Sequence, residues 1–81
     1  MQVVTKEATV DIRARIGIRV KELRDARKLS QDSLAYSINM SRSYLAEVET
    51  GKRNVSIQNI VRITEGLDVS VKEFFDSDLF D

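Results

Sequence analysis

Gln31-Asp32-Ser33-Leu34-Ala35-Tyr36-Ser37-Ile38-Asn39-Met40-Ser41-Arg42-Ser43-Tyr44-Leu45-Ala46-Glu47-Val48-Glu49-Thr50 is the stretch on which the rest of the chain turns. Leu34 and Ile38 stand four apart, Leu45 and Val48 stand three apart, and Met40 lies between them. That spacing predicts two short amphipathic helices folded on each other. Ala35 falls where the two would cross, and its small side chain lets the backbones approach. Asn39 sits at the sharp turn, where Asn is one of the few non-glycine residues to tolerate a left-handed backbone. The pattern is a helix-turn-helix.

The second helix has an outward arc. At about 100 degrees of rotation per residue, Arg42, Ser43, Ala46, Glu47 and Thr50 fall within roughly 140 degrees of one another, and Tyr44, Leu45 and Val48 cluster opposite. The outward set suits a DNA major groove. Arg42 can address guanine N7 and O6 in bidentate fashion, and the Ser43 hydroxyl suits either base type. Glu47 can accept from cytosine, and Ala46 leaves room for a thymine methyl. Base contacts are therefore expected from Arg42 first, then Ser43 and Glu47.

Composition narrows the alternatives. With 81 residues the chain is read as one domain, near the lower size at which a core stands without help. It has no Pro and only three Gly, which favours helices. Cys and His are both absent, which removes disulfides, thiolate nucleophiles and most zinc and acid-base constellations. No enzyme, metal or cofactor is expected. The formal charge is zero, but Asp11 to Arg53 holds ten Lys/Arg against six Asp/Glu, and the rest holds three against seven. A basic part and an acidic part are hidden in the balanced total, and phosphate attraction needs only the local excess. No apolar run is long enough to span a bilayer and no signal-peptide core is present, so the expected location is cytoplasmic, away from membranes.

Outward from the central stretch, Met1 to Ala8 reads as an N-terminal arm with no period. Residues 9–76 read as the folded domain and residues 77–81 as an acidic tail, disordered or with Leu79 and Phe80 folded back on the last helix or reaching a second subunit. Thr9 is the expected cap of a first helix with Asp11 in its first turn, running to about Lys28 on a stripe of Ile12, Ile16, Val20 and Leu23. Most of its cations read as solvated surface. Gly17 costs this helix about 1 kcal/mol relative to Ala, which a close packing contact would explain. Ser30, Ser41, Ser56 and Ser70 are the expected caps of four further helices. Gly51 and Gly66 are the expected stops of the third and fourth, and Ser70 with Glu73 makes a capping box. The free backbone N–H groups at Gln31, with its amide as a second donor, can meet a phosphate. Lys52, Arg53 and Asn54 beyond the third helix are expected on the DNA backbone, as is the Tyr44 hydroxyl. An apolar patch should stay exposed on a domain this small.

Residues Ile16 to Phe75, about three quarters of the chain, resemble the five-helix domain of the lambda repressor/Cro type, also called the xenobiotic-response-element family. Arg42-Ser43-Tyr44-Leu45, followed by Val48-Glu49-Thr50-Gly51-Lys52-Arg53-Asn54-Val55-Ser56, is similar to the controller proteins of restriction-modification systems. Asn39 stands where that family most often has Gly, and Ser43 where the controllers tend to carry Thr. The resemblance implies an all-α, lambda-repressor-like fold whose second and third helices form the helix-turn-helix. It also implies a phosphate contact for Gln31 and a structural ion pair between Arg24 and Glu49. A two-fold dimer interface follows in the C-terminal region, where Ile57, Ile60, Val69, Val71 and Phe74 are the expected residues. The implied function is transcription regulation by a homodimer on a pseudo-palindromic operator, with half-sites about one helical turn apart, roughly 34 Å. RNA polymerase is a further implied partner. A rival reading is an antitoxin-like interaction protein for which DNA binding is secondary.

Overall fold

The computed structural model describes residues 11–81, and the expected arm and the Thr9 cap lie outside them. Five α-helices follow in order: α1 Ile12–Ala26, α2 Gln31–Ser37, α3 Arg42–Glu49, α4 Ile57–Leu67 and α5 Val71–Phe75. A single 3-10 turn, Asp78–Phe80, closes the chain. Among the described residues the fold is all-α, with the two helices that the central stretch predicts at its middle.

Asp11 occupies the cap of α1 rather than its first turn, and its side chain accepts from the Arg13 N–H. The helix stops at Ala26, short of Lys28, because Lys28 adopts a left-handed backbone at φ 57°. The serines act as read. Ser30, Ser41, Ser56 and Ser70 each accept from the N–H three residues on, at 2.9 to 3.1 Å. Each thus satisfies one of the donors that a helix start leaves open.

The core is built from Ile16 and Val20 of α1, Leu34 and Ala35 of α2, Leu45 and Val48 of α3, Ile63 and Leu67 of α4, and Phe74 of α5. Two glycines set how closely the layers pack. A Cβ at Gly17 would strike the backbone carbonyl of Val48 and lie 2.6 Å from that of Glu49, so α1 meets the end of α3 backbone to backbone. Gly66 does not end α4 as expected. It lies inside the helix, where a Cβ would come within 2.7 Å of Leu34 Cδ1, and the stop is Asp68 in the left-handed region at φ 59°. The sequence signal for a helix stop was there a signal for close approach.

The C-terminal residues pack back on the domain. Phe80 lies 4.9 Å, centroid to centroid, from Phe75 and 6.3 Å from Phe74, and Arg15 Nη1 donates to the Leu79 carbonyl at 3.0 Å. Arg19, expected as solvated surface, reaches the end of α5 and donates to the carbonyls of Phe74 and Glu73 at 2.7 and 2.9 Å. A cation there satisfies carbonyls that α5 leaves open and meets the negative end of its dipole.

Candidate nucleic-acid interface

The geometry of α3 decides what the protein can touch. Leu45 and Val48 are fully buried on one side, while Arg42, Ser43 and Thr50 are exposed and Ala46 and Glu47 half-exposed on the other. At its entry Asn39 takes the left-handed turn at φ 54°, and the Met40 N–H donates to the Ala35 carbonyl at 2.9 Å. At its exit Gly51, at φ 78°, turns the chain away. Thr50 lies on the outward arc, but its hydroxyl already donates to the Ala46 and Glu47 carbonyls, 3.2 Å each.

Four charged side chains on and beside this face are paired with one another. Arg42 Nε lies 3.3 Å from Asp32 Oδ1, in an exposed pair that joins the starts of α2 and α3. Arg53 Nε donates to Glu47 Oε1 at 2.6 Å. The Arg53 guanidinium also lies 5.1 Å from the centre of the Tyr44 ring, within cation-π range. Exposed pairs of this kind contribute about 0 to 1 kcal/mol, so each cation can be exchanged to a stronger anion. Lys52 and Asn54 are exposed in the turn after α3. Glu47 and Arg53, read from sequence as a base contact and a backbone contact, here form one unit.

The core side of the same helix carries a different arrangement. Arg24 Nε and Nη2 donate to Glu49 Oε2 and Oε1 at 2.7 and 3.0 Å, and Nη1 donates to the Leu29 carbonyl at 2.7 Å. The carboxylate beside Arg24 raises its pKa above the ordinary guanidinium value, against the opposing effect of burial. Gln31 Nε2 donates to Glu49 Oε1 at 2.9 Å. Read from sequence as a phosphate donor, Gln31 has one amide hydrogen committed to this knot and one left over.

One expected interface residue is corrected. Phe74 is 0% exposed, enclosed by its own chain, and leaves no surface for a partner. Ile57 is 79% exposed, and Val61, one turn further along α4, and Val71 are exposed as well. Ile60 and Val69 are half-buried against the core. Val61 shares the exposed face that Phe74 does not reach: with about 100 degrees per residue it follows Ile57 on the same side of α4. A phenylalanine next to a second one gives no such direction.

Sequence reasoning missed Asn59 and Arg62 on α4. Arg62 Nη2 donates to the Ile38 carbonyl and, at 2.7 Å, to that of Asn39, and Asn59 Nδ2 donates to the Tyr44 hydroxyl at 3.0 Å. The two stand three apart on α4 and Arg62 Nη1 donates to Asn59 Oδ1 at 3.2 Å, a spacing the sequence does show, but their partners on other elements are not reported by any local spacing. Among the described residues no cluster of carboxylates is placed to hold a metal ion, and no helix is long and apolar enough to cross a membrane.

Residues 20–74 match the profile of a helix-turn-helix family. The control protein C.MunI of a Mycoplasma species is 42% identical over 66 residues, covering 80% of this chain and 89% of that protein. The restriction-modification controller protein C.AhdI from Aeromonas hydrophila superposes with a TM-score of 0.75 at 43% identity, over 78% of this chain and 96% of that one. The controller protein C.Esp1396I, solved as a tetramer with its natural 35 base-pair operator, superposes with a TM-score of 0.76 at 31% identity, over 79% of this chain and 84% of that one.

Proposed function

The chain belongs to the helix-turn-helix family, among its restriction-modification control proteins, and from that premise we propose that it is a sequence-specific DNA-binding regulator of transcription, acting as a homodimer on a pseudo-palindromic operator. The observation that carries the proposal is the two-sidedness of α3, with Leu45 and Val48 buried and Arg42, Ser43 and Glu47 turned outward between two tight turns.

With α3 in the major groove, Arg42 leaves Asp32 for guanine N7 and O6, and Ser43 and Glu47 read neighbouring base edges. Arg53 exchanges the Glu47 carboxylate for a phosphate. Lys52, Asn54, the Tyr44 hydroxyl and the free amide hydrogen of Gln31 supply further backbone contacts. Ile57, Ile60, Val61, Val69 and Val71 form the two-fold contact that presents two α3 helices to successive turns of the duplex. Residues 9–76 hold both functions, and the acidic residues 77–81 keep DNA from that side.

Regulation follows from occupancy in the cytoplasm, with no catalytic step. A dimer over the promoter excludes RNA polymerase, and one beside it can hold polymerase in place. Dimerisation and binding both depend on protein concentration, so the protein's own level is the signal.

Selection from a random duplex library at near-physiological salt tests the proposal. The expected product is an inverted repeat with a spacing near one turn, lost with Arg42→Ala. Ile57→Glu, at an exposed site, should give folded monomers by sedimentation. Recovery of no specific sequence would refute the assignment and direct the search to a protein partner.

A further inference from the structure

A line of polar contacts joins the reading helix to the helix that carries the exposed apolar face, and the contacts proposed above with DNA and with the second subunit leave its members on α4, Asn59 and Arg62, unused. It begins at the turn between α2 and α3. There Arg62 Nη2 donates to the carbonyls of Ile38 and Asn39, the groups that α2 leaves open at its end. Arg62 Nη1 donates to Asn59 Oδ1 at 3.2 Å, and Asn59 Nδ2 donates to the Tyr44 hydroxyl. The Arg53 guanidinium lies over the Tyr44 ring and reaches Glu47.

The direction of each contact is fixed by chemistry. A guanidinium only donates, so the Asn59 oxygen faces Arg62 and its NH2 faces Tyr44. A flipped amide would set NH2 against the cation. Because the Tyr44 oxygen accepts, its own proton is free to be donated outward. Backbone packing holds α3 chiefly on α1 and α2, so the Tyr44 to Asn59 bond is a direct tie from α3 to α4.

We propose that Arg62 and Asn59 are positioning residues that fix the orientation of α3 relative to the dimer face of α4, and so set which half-site separation the dimer accepts. The inference rests on the dimeric DNA-reading function above. One base pair added between half-sites displaces the second by about 3.4 Å and turns it by roughly 35°. A rigidly held α3 rejects that displacement, and a loosely held one follows it.

The test compares wild type, Asn59→Ala and Arg62→Lys, which keeps the charge and loses the fork. Each is assayed on the selected operator and on versions one base pair longer and shorter. Wild type should prefer its own spacing by on the order of tenfold or more. The two variants should remain dimeric and bind that operator, with the preference falling toward unity. A second measurement uses no DNA: amide exchange at Met40, whose N–H closes the turn on Ala35, should quicken in Arg62→Lys while exchange at Val20 in α1 holds. Equal loss of affinity on all three spacings, or unchanged spacing preference with unchanged Met40 exchange, would overturn the proposal. Failure of wild type to select any operator would instead overturn the DNA-reading function, and the Met40 result then decides the positioning role alone.

Discussion

Helix α3 bears two Arg–Glu pairs on opposite sides, alike in chemistry and opposite in consequence. Arg24 and Glu49 are 11% and 3% exposed at the side chain, whereas Arg53 and Glu47 are 50% and 45% exposed. Glu49 receives three donors from two residues of different elements, so its desolvation is offset by bonds it cannot make in water so well. Glu47 keeps a wet carboxylate with one cation on it. Burial therefore makes the first pair part of the frame, and exposure makes the second exchangeable. The same residue types thus hold the helix on one side and leave it free to bind on the other.

The hardest break is Arg24→Ala. Removing one member of a buried pair leaves the other charged and unsatisfied, at about 3 to 5 kcal/mol. For a domain this size the expected result is loss of the cooperative thermal transition or a large fall in Tm, with DNA binding lost as a consequence. An unchanged melt would show that water replaces the guanidinium.

Gly17→Ala probes the same frame through its backbone. The methyl would lie 2.6 Å from the Glu49 carbonyl oxygen, and overpacking of this kind costs about 1 to 3 kcal/mol. The gain in helix propensity returns about 1 kcal/mol. A net loss by denaturant melt is expected, because the obstructing atoms are backbone.

Glu47→Gln tests the exposed pair. Stability should move by no more than about 1 kcal/mol. Affinity for unrelated DNA should rise, because Arg53 no longer gives up a carboxylate when it takes a phosphate and a like charge is removed. A fall in non-specific affinity would assign Glu47 a supporting role for Arg53.

These contrasts also mark what the sequence discloses. Helix faces and caps were legible because Leu34, Ile38, Leu45 and Val48 follow the helical repeat and each serine cap acts on an N–H three residues away. The outward face of α3 was legible for the same reason. Gly66 was misread because a glycine near a helix end gives one signal for two causes, a left-handed stop and a close neighbour. Phe74 was read as interface surface because adjacent phenylalanines give no helical direction of their own; in the structure Phe74 is enclosed and Phe75 packs against the core with Phe80 beside it. Arg19, Asn59 and Arg62 were silent because, beside a partner three residues away on the same helix, the contacts that matter reach carbonyls and side chains on elements distant in sequence, which no local spacing reports.

The far end of the comparison is the exposed pair of Lys21 and Asp25, each 57% exposed at the side chain. Lys21 Nζ donates to Asp25 Oδ2 at 2.9 Å, and that bond, opposed by desolvation and aided by the charges of Lys21 and Arg24, holds the Asp25 carboxyl below its ordinary pKa. A depressed folded value means that the unfolded chain binds more protons in acid. The contribution is then fully present above the unfolded carboxylate value, about 3.9, and is lost as pH falls through the folded value. Asp25→Asn should therefore lower Tm slightly at neutral pH and low salt, with the difference from wild type vanishing below that range and in high salt. A difference that persists in acid or grows there would mean that Asp25 acts through Arg24, 3.7 Å away, and so belongs to the buried knot rather than to the surface.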